Sequence, residues 1–385
     1  MTTGSTHSIA SHNANNNQAQ FPEQANNQSH PGYPLGPIDP STAVEMYLAD
    51  RDRELRDSSL TTHESALKFF EQWCEEEGID NLNELTGRLL HQYRIWRRDD
   101  ATTKVDTLSK KSVKTQQDII RSFIAYCESI DGVRPGLHEQ VRSPTIRRDE
   151  AARDACLEPE RAKEILDHLT TFQYGSLEHV VWKLLTDHGP RTGAIHALDV
   201  EDYFAHEDPP HLAYRHRPES GTGLKKGTFG ERLVSLSDST CDVIDAYLEH
   251  HRESVTDEHG RNPLLTGQGR LSKSTIRKYV YKWTRPCAIG RGCPHNRDED
   301  SCEATTASSA SKCPSSLSAH SIRRGYITHE LNAGVDRSYI AERCSVSEEI
   351  IKLHYDERDE QDRLQVRHWA LQNARRTDGE YSGGR

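Results

Sequence analysis

Apolar residues recur with the period of a helix in four stretches near the start of the chain. In TTHESALKFFEQWCEEEGI, Ala66, Phe69, Phe70 and Trp73 fall at positions i, i+3, i+4 and i+7, and a glycine is placed to end the helix. Similar stripes run through STAVEMYLADRDREL, which opens with a Ser/Thr cap, and through GRLLHQYRIWRRDD and SVKTQQDIIRSFIAYCESI. The pattern predicts a helical domain over residues 41–132.

The rest of the chain mixes helical and strand-like patterns. Residues 133–155 are rich in Pro, Gly and Arg and are expected to be a linker. Helical periodicity then marks EPERAKEILDHL, LEHVVWKLLTDHG, STCDVIDAYLEHHRESV, SKSTIRKYVYKWTRPC and EQDRLQVRHWALQNARR. HLAYRHR and GTGLKKGTFGERLVSLS indicate short strands around a Lys–Gly turn. We therefore expect a mainly α domain with a small antiparallel sheet over 156–376, followed by a tail at 377–385.

Composition restricts the setting in which the protein works. Residues 1–40 are rich in Asn, Gln, Ser, His and Pro, so we expect a disordered tail there. This stretch has neither the basic region nor the apolar region of a secretory signal, and no apolar run of about 18 residues exists elsewhere. The nine cysteines are an odd number and suit reduced thiols or metal ligands better than disulfides. A cytoplasmic protein is expected.

The chain has a net charge of -11, which is unusual for a protein that binds nucleic acid. The basic residues are unevenly chosen, with 35 Arg and 14 Lys. An acidic, Arg-rich, Lys-poor surface is the composition expected of a halophilic protein. The Debye length falls to about 3 Å in concentrated salt, so local groups of arginines decide contacts more than net charge does.

Three short motifs follow one another in the second half. Arg191 comes after Gly-Pro in TDHGPRTGAIHALDV, and adjacent lysines lie in GLKKGTFGERLVSLS. SAHSIRRGYITHEL holds His320 and Arg323, and Tyr355 follows thirty-two residues after that arginine. Each motif alone is weak, since a solvated loop arginine or a basic surface turn is the commoner explanation. Their order and spacing carry the signal.

Together these motifs resemble those of the tyrosine recombinases, the phage-integrase family, and the composition suggests a haloarchaeal-type integrase. The resemblance implies a helical, SAM-like core-binding domain and a catalytic domain that close around double-stranded DNA. It also implies a homotetramer on DNA that exchanges a C-terminal segment, for which the last predicted helix is the candidate. The implied catalytic residues are Arg191, Lys226 (or Lys225), His320, Arg323 and Tyr355.

The implied chemistry explains each residue type. Two guanidinium groups clamp the oxygens of a phosphodiester, and the tyrosine attacks its phosphorus. An unperturbed tyrosine has a pKa of about 10, so a cationic pocket must stabilise the phenolate. The histidine donates to the phosphate or accepts the tyrosine proton, and the lysine protonates the leaving 5′-oxygen. The 3′-phosphotyrosine retains the bond energy, so catalysis requires no metal or other cofactor.

The chain departs from the family pattern at several positions. Nine residues before the tyrosine, where the family has His or Trp, it has Val346, which cannot donate a hydrogen bond. Ala194 replaces an acidic residue three positions after the first arginine. The candidates for catalytic support are Lys225, Arg324, Lys352 and His354.

An insertion at 285–316, the cysteine segment, holds four cysteines and a histidine. Four cysteines in so short a stretch predict a structural zinc ion, although their spacing is looser than that of standard zinc motifs. A flexible loop of unpaired thiols is the alternative. The predicted ligands are Cys287, Cys293, Cys302 and Cys313, with His295 as a further candidate.

Three other functions are compatible with the same motifs. The first is a catalytically impaired DNA-binding regulator with the recombinase fold, for which Val346 gives a reason. The second is a type IB topoisomerase-like enzyme, which relaxes DNA by the same tyrosine chemistry without strand exchange. The third is a zinc-stabilised interaction module. Formation of a covalent adduct, recombination between two sites and the effect of changing Arg191 distinguish them.

Overall fold

The computed structural model divides into two compact units, residues 1–151 and 152–385. The structure describes residues 34–101, 107–146, 155–356, 360–361, 364–369 and 371–372, without the side chain of His354. The expected tail at 1–40 lies outside the described residues up to residue 33, as does the expected tail at 377–385. Within the described residues, no helix combines the length and apolar character needed to cross a membrane.

The first unit contains the four predicted helices. Asp39 caps the first of them by accepting the Thr42 N–H at 3.0 Å, so the cap precedes the expected Ser/Thr pair. Gly78, in the left-handed conformation at φ 71°, ends the second. The helices are α1 (Pro40–Arg51), α2 (Asp57–Glu77), α3 (Gly87–Asp99) and α4 (Lys110–Ser129).

Aromatic rings fill the centre of this helical unit. Phe70 lies edge-on to Tyr93 and Phe123, with ring centroids 5.3 and 5.5 Å away. The same core includes Val133 and Leu137, both almost fully buried. The first part of the expected linker therefore belongs to the helical unit, because its few apolar side chains are buried there.

The second unit is mainly helical with a three-stranded antiparallel sheet, which confirms the predicted fold class. Its strands are β1 (Tyr203–Phe204), β2 (His211–Tyr214) and β3 (Arg232–Ser235), in the order β1-β2-β3. Its helices are α5 (Pro159–Phe172), α6 (Leu177–His188), α7 (Thr192–His196), α8 (Asp238–His250), α9 (Lys273–Trp283), α10 (Ala319–Asn332), α11 (Arg337–Cys344) and α12 (Glu348–His354). The described residues after 359 are also helical.

Helix α6 forms the centre of this unit and leads into the first arginine motif. Its run of apolar residues is buried almost completely, including Val180, Trp182 and Leu185, and it packs against α8 and α10. A helix that is apolar on most of its faces must lie inside the domain. The end of α6 is therefore held firmly, and with it the backbone that precedes Arg191.

Residues 215–231, called the lysine loop here, join β2 to β3. The expected Lys–Gly turn is present, since the Gly227 N–H donates to the Leu224 carbonyl at 3.0 Å, but the connection between the strands is longer than the turn and contains two short 3-10 turns. Leu224 in the loop is buried in the domain core, and its N–H donates to His216 Nδ1 at 2.9 Å. Because an apolar side chain anchors the loop, the lysines that follow have a defined position.

An ion network fixes the start of the lysine loop. Arg217 donates to both carboxylate oxygens of Asp202, at 2.9 and 2.7 Å. Buried Asp199 also contacts Arg217, and it pairs with Arg270 at 2.6 Å. Buried carboxylates are tolerated only when paired in this way. The network ties the loop to the segment that follows α7.

Candidate active site

Arg191 is placed by the sharp turn that ends α6. Gly189 has φ 56°, and a Cβ at this position would lie 2.6 Å from the ring of Tyr326. Only glycine meets both demands without strain. The Gly-Pro pair therefore delivers Arg191 to the start of α7, where it is the N-terminal flanking residue.

The guanidinium of Arg191 is half-buried and held by the backbone. Its Nη1 donates to the carbonyl of Ser345 at 2.6 Å. Burial and then the neighbouring charge of Arg323 lower the pKa of Arg191 to about 10. The side chain is still protonated at neutral pH, so it presents a positive charge with little water around it.

Arg323, on α10, is the second member of the arginine pair and is only 3% exposed. Its Nη1 donates to the carbonyls of Gly189 and Cys344, both at 2.7 Å. Its Nη2 is buried and has no hydrogen-bond partner among the described residues. An unpaired buried donor on a charged group is costly, so an acceptor is expected at this atom.

Consecutive carbonyls orient the arginine pair. Cys344 accepts from Arg323 and Ser345 accepts from Arg191, directly after α11 ends. Ser345 has φ 51°, a conformation that a non-glycine residue rarely adopts. This feature could not be predicted from the sequence, because nothing in the residue types marks a serine in the left-handed region.

Tyr355 lies in the same site, immediately after α12, and is 5% exposed. Its ring packs in an apolar cluster that includes Val346 and Ile351. The ring centroid is 6.4 Å from that of His320 and 6.0 Å from the guanidinium carbon of Arg324. Arg191 is also within electrostatic reach of Tyr355. The structure thus brings the tyrosine, the histidine and three arginines together.

Lys226 lies within electrostatic reach of this group. Burial lowers the pKa of Lys226, and the charges of Arg191, Arg323 and Arg232 lower it further. Both lysines of the loop are exposed, and Lys225 directly precedes Lys226. The lysine loop therefore carries an amine to the arginine pair.

Two further arginines support the site and were not among the predicted residues. Arg232, in β3, donates to the carbonyl of Arg343 at 2.8 Å, and its guanidinium carbon lies 4.2 Å from the ring centroid of Tyr214. Arg343 donates to the hydroxyl of Tyr326 at 2.9 Å. Tyr214 in turn contacts buried His188 at 2.5 Å. The buried ring of Tyr214 and the half-buried ring of Tyr326 thus hold these arginines behind the site.

Four other positions singled out in the sequence have different surroundings. Val346 is a core residue, so no donor occupies that position. Ala194 is buried and Lys352 is exposed. The side chain of His354 is outside the described part of the chain.

Each of the four cysteines in the cysteine segment begins a backbone turn. The carbonyls of Cys287, Cys293, Cys302 and Cys313 each accept from the N–H three residues later, at 2.9–3.3 Å. All four side chains are half-buried free thiols. Within the described residues, no group of three or more His, Cys, Asp or Glu side chains is arranged to hold a metal ion. His295 instead contacts the Ser315 hydroxyl at 2.8 Å.

Solved integrase structures share this architecture. The Tn1549 transposon integrase with transposon right-end DNA has a TM-score of 0.58 at 13% identity, covering 87% of this chain and 99% of that chain. A lambda integrase dimer bound to a COC′ core site gives 0.55 at 12% identity, covering 84% and 100%. A lambda integrase tetramer bound to a Holliday junction gives 0.55 at 11% identity, covering 84% and 80%.

This chain has the integrase fold. No family model matches the sequence, and neither does any curated protein. At such low identity the likeness concerns architecture alone. The chemistry of the site depends on the residues that line it.

Proposed function

We propose that this protein is a site-specific DNA recombinase that cuts and rejoins DNA through a 3′-phosphotyrosine intermediate, with Tyr355 as the nucleophile. The observation that carries the proposal is the buried Nη2 of Arg323, a charged donor without a partner among the described residues, in the site that holds Tyr355. A phosphodiester oxygen supplies the acceptor that this atom lacks. The similar integrase structures in complex with DNA support the same assignment.

In the proposed reaction, the phenolate oxygen of Tyr355 attacks the phosphorus. A bond forms between phosphorus and this oxygen, and the bond from phosphorus to the 5′-oxygen breaks. Lys226 gives its proton to the departing oxygen, and the 3′ end remains on the tyrosine. Attack by a 5′-hydroxyl reverses these events and reseals a strand without an external energy source.

The arginine pair stabilises the negative charge that builds on the non-bridging oxygens. Both guanidinium groups are already oriented by backbone carbonyls, so little reorganisation accompanies the reaction. Tyr355 lies within electrostatic reach of Arg191, so the nucleophile and the arginine pair act on the same phosphate. His320 is proposed to donate to the phosphate or to take the tyrosine proton.

The proposed partner is double-stranded DNA, and the proposed active assembly is a homotetramer. One similar structure is a lambda integrase tetramer bound to a Holliday junction, which supports this assembly. Phosphate contacts would provide most of the sequence-independent affinity. The helical segment after residue 359 is proposed to be exchanged between protomers.

Covalent trapping tests the proposed function. The protein is mixed, at several salt concentrations, with nicked duplexes drawn from the DNA that flanks its gene. We expect a protein–DNA band that survives denaturation, and mass spectrometry should locate the nucleotide on the peptide that contains Tyr355. Binding to a duplex without any adduct would identify a DNA-binding regulator instead. Plasmid relaxation without joining of two sites would identify a topoisomerase-like enzyme.

Lys226 should give the cleavage reaction a pH dependence. Its acid form is the active one, so cleavage slows as pH rises through its pKa. Because burial and the neighbouring arginines lower that pKa, the decline begins at a lower pH than for an ordinary lysine. We expect Lys226→Ala to cleave about 100-fold more slowly and to lose this decline in single-turnover assays across neutral and alkaline pH.

A substrate with sulfur in place of the 5′-bridging oxygen sharpens this test. A thiolate leaves without being protonated, so this substrate should restore cleavage by Lys226→Ala. Lys225→Ala is the matched control and should keep both the rate and the pH profile. If Lys225→Ala shows the defect and the rescue, the two lysines exchange roles.

We also propose that the cysteine segment binds a structural zinc ion, independently of the proposed catalytic activity. Cys287 is within electrostatic reach of Cys293 and Cys313, which supports a shared ligand. In the described part of the chain these thiols are not arranged to hold a metal, so binding would have to draw them together. Metal analysis of the purified protein should find about one zinc per chain, and Cys293→Ser should lower this content. A metal-free, stably folded wild-type protein would refute the proposal.

A further inference from the structure

Phe229 is the most exposed of the large apolar side chains in the described residues, at 93%. It is the third residue of the 3-10 turn Gly227–Gly230 in the lysine loop. Single exposed apolar residues are common on protein surfaces and need no special cause. Phe229 differs from such residues in its position, because it lies three residues after the proposed catalytic lysine, Lys226.

The turn that carries Phe229 is braced on both sides. Before it, Leu224 is anchored in the core, and its carbonyl accepts the Gly227 N–H at 3.0 Å. After it, the carbonyl of Gly230 accepts from Arg232 Nη1 at 2.9 Å. The exposed ring therefore stands on a fixed backbone, which lowers the entropy lost when it binds a partner.

Lys226 directly precedes the turn that carries Phe229, and its Cβ would lie 3.6 Å from a Cβ placed on Gly230. The side chains of Lys226 and Phe229 therefore leave the backbone at neighbouring points of one turn. Lys226 is within electrostatic reach of Arg191 and Arg323, so this turn lies beside the arginine pair. A duplex whose phosphate is held by the pair would bring its base edges to the ring.

From this geometry we infer that Phe229 is a positioning residue that wedges into the minor groove at the base step next to the cleaved phosphate. Apolar side chains that enter this groove unstack a base step and kink the duplex. The kink would turn the 5′-oxygen towards Lys226. This inference rests on the proposed function, because it needs the phosphate to be held at the arginine pair.

The cationic surroundings favour DNA over a protein as the occupant. The positive charges of Lys226, Arg191 and Arg323 complement a polyanion, and their closeness would oppose a second copy that presents the same surface. Binding of the ring neutralises no phosphate. The salt dependence of DNA affinity should therefore be the same with and without it.

The test compares Phe229→Ala and Phe229→Leu with the wild type on a duplex whose cleavage position has been mapped by covalent trapping. A 2-aminopurine base placed beside that position reports unstacking, and it is measured in a Tyr355→Phe background so that the DNA stays intact. Cleavage rates are measured with Tyr355 present. Phe172→Ala is the matched control, since Phe172 is 70% exposed at the end of α5.

We expect Phe229→Ala to lose the rise in 2-aminopurine fluorescence and to cleave about tenfold more slowly, with an unchanged salt slope. Phe229→Leu should keep most of both signals, and Phe172→Ala should match the wild type. Equal fluorescence and equal rates in Phe229→Ala and the wild type would overturn the inference alone. The inference would also be overturned if Phe229→Ala changed only the sedimentation of the protein–DNA assembly, which would make the ring a protein contact. Absence of any tyrosine adduct with the wild type would overturn the proposed function, and this inference with it.

Discussion

Tyr355→Phe is expected to bind the duplex as tightly as the wild type and to form no covalent adduct. The change removes one hydroxyl oxygen and leaves the ring, which packs against Val346 and Ile351 in the apolar cluster. The cluster should therefore keep its stability, while the reaction loses its nucleophile. Covalent trapping measures the adduct, fluorescence anisotropy measures the affinity, and thermal unfolding reports the fold.

A second tyrosine provides the control. Tyr339 on α11 is 69% exposed, so its side chain is more accessible than that of Tyr355, and Tyr339→Phe should form the adduct at the wild-type rate. An adduct that persists in Tyr355→Phe would show that another residue attacks the phosphate. In this proposal the nucleophile is selected by its closeness to the charged arginine pair and not by the accessibility of its side chain.

The sequence was sufficient for the helices because their apolar stripes are regular. Ala66, Phe70 and Trp73 recur at the helical period, and all three lie in the core of the first unit. The glycine at position 78 ends α2, as its conformational freedom suggested. Periodicity and caps are local properties, so one sequence reveals them.

The connection between β2 and β3 shows where local patterns fail. Two lysines followed by glycine form a turn as their residue types suggest, yet the strands do not begin beside it, because Leu224 is buried in the core and the loop runs over residues 215–231. Its start is fixed by pairing of Arg217 with Asp202, an interaction set by tertiary structure. Turn length therefore followed from burial of one leucine rather than from the turn residues.

In the candidate site, motifs could indicate which residues meet but not how they are held. Arg191, Arg323 and Tyr355 were all singled out by spacing, and the structure places them together. The carbonyls of residues 344 and 345 that orient the arginine pair carry no side-chain signature. Val346 looked like a missing donor, but its side chain contributes to the cluster that holds Tyr355.

The distribution of charge reconciles an acidic chain with the proposed polyanionic partner. The net charge is -11, yet four cations lie within electrostatic reach of one another near Tyr355: Arg191, Arg323, Arg232 and Lys226. Several of them are buried or half-buried, and buried charges are screened by salt much less than surface charges. A site of this kind can hold a phosphate in concentrated salt, where an exposed basic surface would lose most of its attraction.

Arg323→Lys is expected to slow strand cleavage about 100- to 1,000-fold while the chain keeps its fold. The two terminal nitrogens of the guanidinium have different roles. Nη1 donates to the carbonyls of Gly189 and Cys344, whereas the buried Nη2 has no partner among the described residues. A lysine has one nitrogen, so it cannot hold the two carbonyls and also reach a phosphate in the same geometry.

Arg270, a largely buried arginine of the same unit, shows whether this loss is specific. Arg270 pairs with Asp199 and Asp257 in the ion network. Arg270→Lys should therefore lower the unfolding temperature of the unit clearly and change the single-turnover cleavage rate little. In Arg323→Lys the order should be reversed, with a large loss of rate and a small shift in unfolding temperature. Cleavage by Arg323→Lys within a few-fold of the wild type would show that Nη2 does not contact the reacting phosphate. The proposed clamp would then rest on Arg191 alone, whose Nη1 is already committed to the carbonyl of Ser345.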